Sequence, residues 1–204
     1  MDIVFATGNA DKMVEIRSIM HDFTVNGEKI NIFSMKEKGI DIDIDENGTT
    51  FLENALIKAR EVSKLLPDDI VMADDSGLEV DYINKEPGIY SARYMGHDTP
   101  YSVKNANLIE RLEKAEGEER SARYVCAIAT CLPGGRELTS VQTMEGRIAT
   151  KQCGANGFGF DPIFLVPPYE VTAAEISEEE KNAISHRGKA LRETKQLLEK
   201  EFKA

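Results

Sequence analysis

Ile70-Val71-Met72-Ala73-Asp74-Asp75-Ser76-Gly77 runs four apolar residues straight into two adjacent carboxylates. The apolar run reads as a buried strand. Carboxylates taken out of water without partners cost on the order of several kcal/mol each, so the pair calls for a cation, a donor network or a reacting group. Ser76 and Gly77 suit a tight turn, which predicts that the strand ends at the rim of a sheet, where open α/β sheets hold their ligands. Side chains alternate across a strand, so the two carboxylates face different surroundings. Asp75, nearer the turn, is the candidate for a reacting role, and Asp74 is expected to hold loop backbone or a neighbouring lysine. The alternative is a surface turn carrying two solvated carboxylates.

Upstream, Ile3 to Ala6 is a short apolar run, Thr7-Gly8-Asn9 breaks it, and Val14, Ile16, Ile19 and Met20 begin a helical stripe. Ile30 to Phe33 and the alternating Ile40 to Ile44 read as strands. Thr50 and Glu53 have capping-box spacing, with Leu52, Ala55, Ala59, Val62 and Leu66 as the apolar face of the helix that follows. Asn54 and Lys58, four apart, share a different face of it. Downstream, Leu78 to Tyr82 alternates as strand and a helix follows Pro100. Arg123–Cys131 and Leu138–Ile148 form an antiparallel hairpin across Pro133-Gly134-Gly135. Gly154 to Pro162 is a glycine-rich loop of the kind that lets backbone approach a ligand. Ser177 and Glu180 repeat the capping-box spacing. Ser185 caps a last helix with Ala190, Leu191, Thr194, Leu197, Leu198 and Phe202 buried. With no repeat or linker, residues 1–204 read as one folded α/β unit, two-lobed, with a central mixed, twisted sheet flanked by helices.

The 204 residues are 41% hydrophobic, enough for a proper core. Acid outnumbers base 36 to 25, a net charge of -11 that opposes a large footprint on nucleic acid or an anionic membrane. A local cluster of Lys and Arg still admits an anionic small molecule. Cys126, Cys131 and Cys153 are odd in number and lack CxxC spacing, which suits reduced thiols. No signal-like block or run of bilayer length is present, so a soluble, cytoplasmic protein is expected.

Thr7-Gly8-Asn9-Ala10-Asp11-Lys12 lies where free backbone N–H groups and a helix dipole attract phosphate, with Lys12 adding a point charge. The same residues also suit an ordinary helix start, with Asn9 or Asp11 as cap and Lys12 in solvent. Glu46, just before a glycine turn, can complete a magnesium site with an Asp, since Mg2+ takes a few carboxylates plus phosphates and water. Glu53 is read as a capping residue only. His186 and Arg187 read either as a helix cap and a surface cation or as site residues. Phe158 suits stacking on a flat base or plugging the loop from below.

In this order and at these separations, several segments resemble the inosine triphosphate pyrophosphatase family. They are Thr7-Gly8-Asn9 with Lys12, Gly48-Thr49-Thr50-Phe51 with Glu53-Asn54-Ala55 and Lys58-Ala59, Asp74-Asp75-Ser76-Gly77-Leu78, Pro87 to Tyr94, Gly157-Phe158-Gly159, Asp161-Pro162-Ile163-Phe164 and Ser185-His186-Arg187-Gly188. The resemblance implies a nucleotide cleft between the lobes. It implies Mg2+-dependent hydrolysis of non-standard purine nucleoside triphosphates (ITP, dITP, XTP) between the α- and β-phosphates, usually by a homodimer. By position, it gives Thr7 to Lys12, Lys58 and Ser76 to the triphosphate, Glu46 and Asp75 to the metal, and Asp75 also to the attacking water. Phe158, Gly159, Phe160, Asp161, Lys181, His186 and Arg187 would form the base pocket. Arg187 or a loop N–H is the expected donor against ATP. Phe160 stands where the family commonly carries Tyr, so a hydroxyl contact there is absent. The rival readings are a non-catalytic nucleotide-binding module and a hydrolase of other nucleotides.

Overall fold

The computed structural model describes residues 1–203. They divide into two compact units, one of Met1–Asp75, Cys126–Gln142 and the chain from Arg187 onward, the other of Ser76–Val125 and Thr143–His186.

In the first unit, β1 (Asp2–Phe5) leads through Thr7-Gly8-Asn9 into α1 (Ala10–Met20). A small hairpin, β2 (Thr24–Val25) and β3 (Glu28–Lys29), precedes β4 (Asn31–Ser34). β4 runs parallel to β1, with Ile3 opposite Ile32. α2 (Phe51–Ser63) starts at Thr50 with the expected capping box, and β5 (Ile70–Val80) lies parallel to β1 with Ile3 opposite Ile70. Strands buried on both faces in this way read as unbroken apolar runs, as Ile3-Val4-Phe5 and Ile70-Val71-Met72 do. The core of this unit gathers Ile3, Phe5, Ile16, Met72, Ile128, Leu191 and Leu198.

In the second unit, α3 (Tyr101–Arg111) is followed by β6 (Ser121–Cys131), which begins there and ends in the first unit, and β7 (Glu137–Ile148), which returns. β8 (Phe164–Val166), β9 (Val171–Thr172) and α4 (Glu178–Ile184) complete it, α4 with the capping box of Ser177 and Glu180. Its core is separate and contains Leu78, Leu108, Leu112, Ile148, Phe160 and Phe164. α5 (His186–Glu201) follows and, from Arg187 onward, belongs to the first unit. Among the described residues the main sheet runs β4-β1-β5-β6-β7-β8-β9, parallel from β4 to β5 and antiparallel from β7 to β9. This is the mixed α/β sheet flanked by helices that the sequence predicts.

Three local expectations are corrected. β5 does not turn at Ser76-Gly77 but runs extended through both aspartates to Val80. The rim is made instead by β1, which stops at Phe5 with its last ladder bond from Ala6 N–H to Met72 O, so Asp74 and Asp75 lie past the end of a neighbour rather than at a strand end. Ile40 to Ile44 forms no strand: Ile40 is buried while Ile42 is exposed, and among the described residues the segment joins no sheet. Phe202 lies beyond the end of α5 and is exposed, while Ala190, Leu191, Thr194 and Leu198 are buried as expected.

The three cysteines are free thiols, Cys126 and Cys131 buried and Cys153 partly exposed. Burial, with Asp74 adding to it, pushes the Cys126 thiol far above its ordinary value. No helix among the described residues is long and apolar enough to cross a membrane.

Candidate active site

In the first unit, Asn9 caps α1 by accepting the Lys12 backbone N–H at 3.0 Å, and Thr7 Oγ1 accepts the Asn9 N–H at 3.2 Å. Gly8, Asn9, Ala10 and Asp11 are exposed at this helix start. Asn9 is the cap of an ordinary helix start, but Lys12 does not point into solvent. Its Nζ donates to Asp74 Oδ1 at 2.9 Å. The second oxygen of Asp74 accepts from Arg187 Nη2 at 3.1 Å and Nε at 3.3 Å, and Arg187 Nη1 donates to Glu15. Arg187 is 2% exposed and Asp74 1%. Burial alone would raise the Asp74 carboxyl, but Lys12, Arg187 and Lys58 outweigh it and hold that carboxyl far below the usual range. Burial likewise opposes the charge on Arg187, and Glu15 and Asp74 more than restore it.

One residue along β5, the alternation of side chains gives Asp75 a different neighbour. Lys58, from α2, donates to Asp75 Oδ1 at 3.2 Å and to Glu46 Oε2 at 2.8 Å. Asp75 Oδ2 is buried and has no partner among the described residues. Burial pushes the Asp75 carboxyl up, and Lys58 and Lys12 only partly offset it, while Glu46 adds to the rise. Lys58 is affected first by burial, which lowers its value, but Asp75, Asp74 and Glu46 together raise it, so the ammonium is firmly charged. No three His, Cys, Asp or Glu side chains among the described residues gather as a ready-made cage. A hard divalent cation that draws its other oxygens from phosphate and water needs no such cage, and the chemistry of two carboxylates converging on one cation, one with a buried unpaired oxygen, fits it.

In the second unit, the loop Gly157–Asp161 is held by Asp161, 2% exposed. Its Oδ2 accepts from Lys181 Nζ at 2.6 Å and from the Phe158 N–H at 2.9 Å, and its Oδ1 accepts from the Tyr124 hydroxyl at 3.2 Å. Gly157 has a φ of +71° and no room for a side chain, since a Cβ would strike the Asp161 carboxylate. The Lys181 ammonium lies 5.2 Å from the centre of the half-buried Phe158 ring. His186 stacks on Tyr124, ring centres 4.8 Å apart and nearly parallel. Phe160 is a core residue, with Tyr101 edge-on at 5.2 Å. Its ring packs in the core of this unit. Ser76, partly exposed, is the first residue of this unit.

Arg187 is buried and so is no surface cation; it lies with Asp74 and Glu15 in the first unit, and three of its nitrogens are engaged there. Glu15, Tyr124 and Asn105, which donates to Gly159 O at 3.2 Å, are polar groups of these clusters that sequence reading did not place. The available signal was a polar residue on an otherwise apolar helix face or strand, which alone names no partner.

The profile of the Ham1 family matches residues 3–197. A dITP/XTP pyrophosphatase of Clostridium perfringens is 46% identical over 200 residues, covering 96% of each chain. One of Bacillus licheniformis is 42% identical over 198 residues, covering 97% of this chain and 98% of the relative. Among solved structures, the Ham1 protein of Staphylococcus aureus superposes with a TM-score of 0.84 at 38% identity, covering 98% of this chain and all of that one. Alike from end to end in sequence and in fold, this chain belongs to the Ham1 family.

Proposed function

We propose that this protein hydrolyses non-standard purine nucleoside triphosphates, ITP, dITP and XTP, to the nucleoside monophosphate and pyrophosphate, clearing deaminated purines from the nucleotide pool. Family membership and the names of its relatives support the reaction. The observation that carries it is the pair of adjacent aspartates on β5 with separate cation partners, Asp74 with Lys12 and Asp75 with Lys58. Phosphoryl transfer depends mainly on positioning and on neutralising charge as it develops, and this arrangement supplies both.

In this reading, the helix start from Thr7 to Lys12, together with Lys58 and Ser76, binds the triphosphate. Lys12 and Lys58 then balance the charge that grows on the departing pyrophosphate. Asp75, whose raised carboxyl is the more basic of the two, orients the attacking water and takes its proton. Glu46 and Asp75 hold Mg2+, one or more ions per subunit, which when bound supplies Lewis acidity at the phosphates. Asp74 stays ionised and keeps Lys12 in place. Phe158 gives a face for the purine. With Arg187 engaged elsewhere, Lys181 and loop N–H groups are the donors that an oxygen at the purine 6-position satisfies and the ATP amino group leaves unpaired. His186 and Asp161 fix that wall. The proposal includes a homodimer working in the cytoplasm on a small-molecule substrate, without nucleic acid or membrane.

The test is pyrophosphate release with Mg2+ from ITP, XTP, dITP, GTP, ATP and dUTP, for wild type and Asp75→Asn. Turnover of ITP and XTP far above GTP and ATP, with loss of at least 100-fold in the variant, is expected from the removal of a catalytic base. Tight nucleotide binding without turnover would leave a binding module, and preference for dUTP would refute the base assignment.

A further inference from the structure

Asn54 lies in the first turns of α2 and is 0% exposed, an unusual place for an amide. Its Oδ1 accepts the Gly48 N–H at 2.9 Å. The approach is close enough to demand glycine, because a Cβ at residue 48 would stand 2.7 Å from that oxygen and 2.8 Å from Glu53 Cβ. Glu53 holds the next two residues through the Thr49 N–H at 2.6 Å and the Thr50 N–H at 3.2 Å. The chain entering α2 is therefore pinned twice, and Glu46 stands two residues before the first pin. One turn further along the same helix face, Lys58 grips the Glu46 carboxylate at 2.8 Å. Asn54 fixes the backbone that carries Glu46, and Lys58 fixes its side chain.

The other half of the amide is not used by this hold. Asn54 Nδ2 is buried without a partner among the described residues, as is Asp75 Oδ2 in the same unit. A position that served packing alone would be filled better by an apolar side chain of similar size, because a buried donor left unmade is costly.

We propose that Asn54 is a positioning residue for the Glu46 carboxylate and so sets the affinity of the divalent-cation site. The inference rests on the reading of Glu46 and Asp75 given above. Groups one step behind metal-binding carboxylates usually change cation affinity by 10- to 100-fold when removed, which sets the scale expected here.

Asn54→Ala removes the hold from one side and Gly48→Ala disrupts it from the other, while Asn54→Asp keeps an acceptor for the Gly48 N–H. Two readouts are taken on each folded variant: Mn2+ binding to the protein alone, followed by electron paramagnetic resonance, and the Mg2+ dependence of pyrophosphate release from ITP. Asn54→Ala and Gly48→Ala should both raise the half-saturating cation concentration about tenfold, with kcat at saturating Mg2+ within about twofold of wild type. Asn54→Asp should return it to the wild-type value or below. An unchanged midpoint in Asn54→Ala, or a fall in kcat at saturating cation without a midpoint shift, overturns the proposal, as does Asn54→Asp behaving like the alanine variant. If Mn2+ affinity shifts as stated but wild type turns over no ITP, the reaction is wrong and Asn54 stands. If ITP is hydrolysed and the midpoints coincide, Asn54 falls and the reaction stands.

Discussion

Arg187 and Asp74 form a buried pair in which each depends on the other for its charge, and the cost of parting them decides what variants there will do. Removing one partner of a buried ion pair typically costs roughly 3–5 kcal/mol, since the other is left uncompensated. Arg187→Ala should therefore lose stability on that scale in chemical denaturation, and any loss of activity should follow from a displaced Asp74 rather than from a changed preference between ITP and ATP. Asp74 adds a dependence on pH. Its folded carboxyl sits below its unfolded value of 3.8, so its stabilising contribution is complete above that value and is lost as pH falls below it toward the depressed folded one. The gap in Tm between wild type and Asp74→Asn should be widest above about pH 4 and shrink on further acidification, as calorimetry across pH can show. The doublet and its unequal surroundings were legible from strand alternation, as was the choice of Asp74 as partner to a lysine. Arg187 was not, because its partners lie 113 and 172 residues away in the chain and no local pattern joins them.

Elements with a local cause were the easiest to read. Both capping boxes, at Thr50 with Glu53 and Ser177 with Glu180, form as the spacing predicts, because all the groups they satisfy lie within one turn. Thr50→Ala should cost about 1 kcal/mol in urea denaturation, the usual worth of an N-cap, and more in cation affinity than in fold if the chain between Glu46 and α2 loosens. The errors arose where pairing overrides local preference. Ser76-Gly77 is good turn chemistry, yet β5 stays extended because its ladder continues beyond β1. Ile40 to Ile44 has the period of a strand, yet it joins no ladder among the described residues. Turn and strand propensities speak of one segment only, whereas a sheet is decided by two.

At the scale of the molecule, the α/β class and the mixed sheet followed from the order of apolar runs, but the partition of residues between the units did not. β5, β6 and β7 each supply residues to both, so no break in composition marks the division. It falls after Asp75, Val125, Gln142 and His186, so that chain neighbours such as His186 and Arg187 belong to different units. The excess of acid, -11 overall, gives no hint of the buried cations Lys104, Arg120, Lys181 and Arg187, since a sum over the whole chain says nothing about a few interior positions. The thiols turn this burial into a clock. Cys126 is sealed in the first core beside Asp74 and is a very weak acid there, whereas Cys153 is partly open. A thiol reagent should consume one equivalent quickly from the native protein and reach Cys126 only as fast as that core opens, so the slow phase of labelling, read by mass, times the opening of the unit that holds both aspartates.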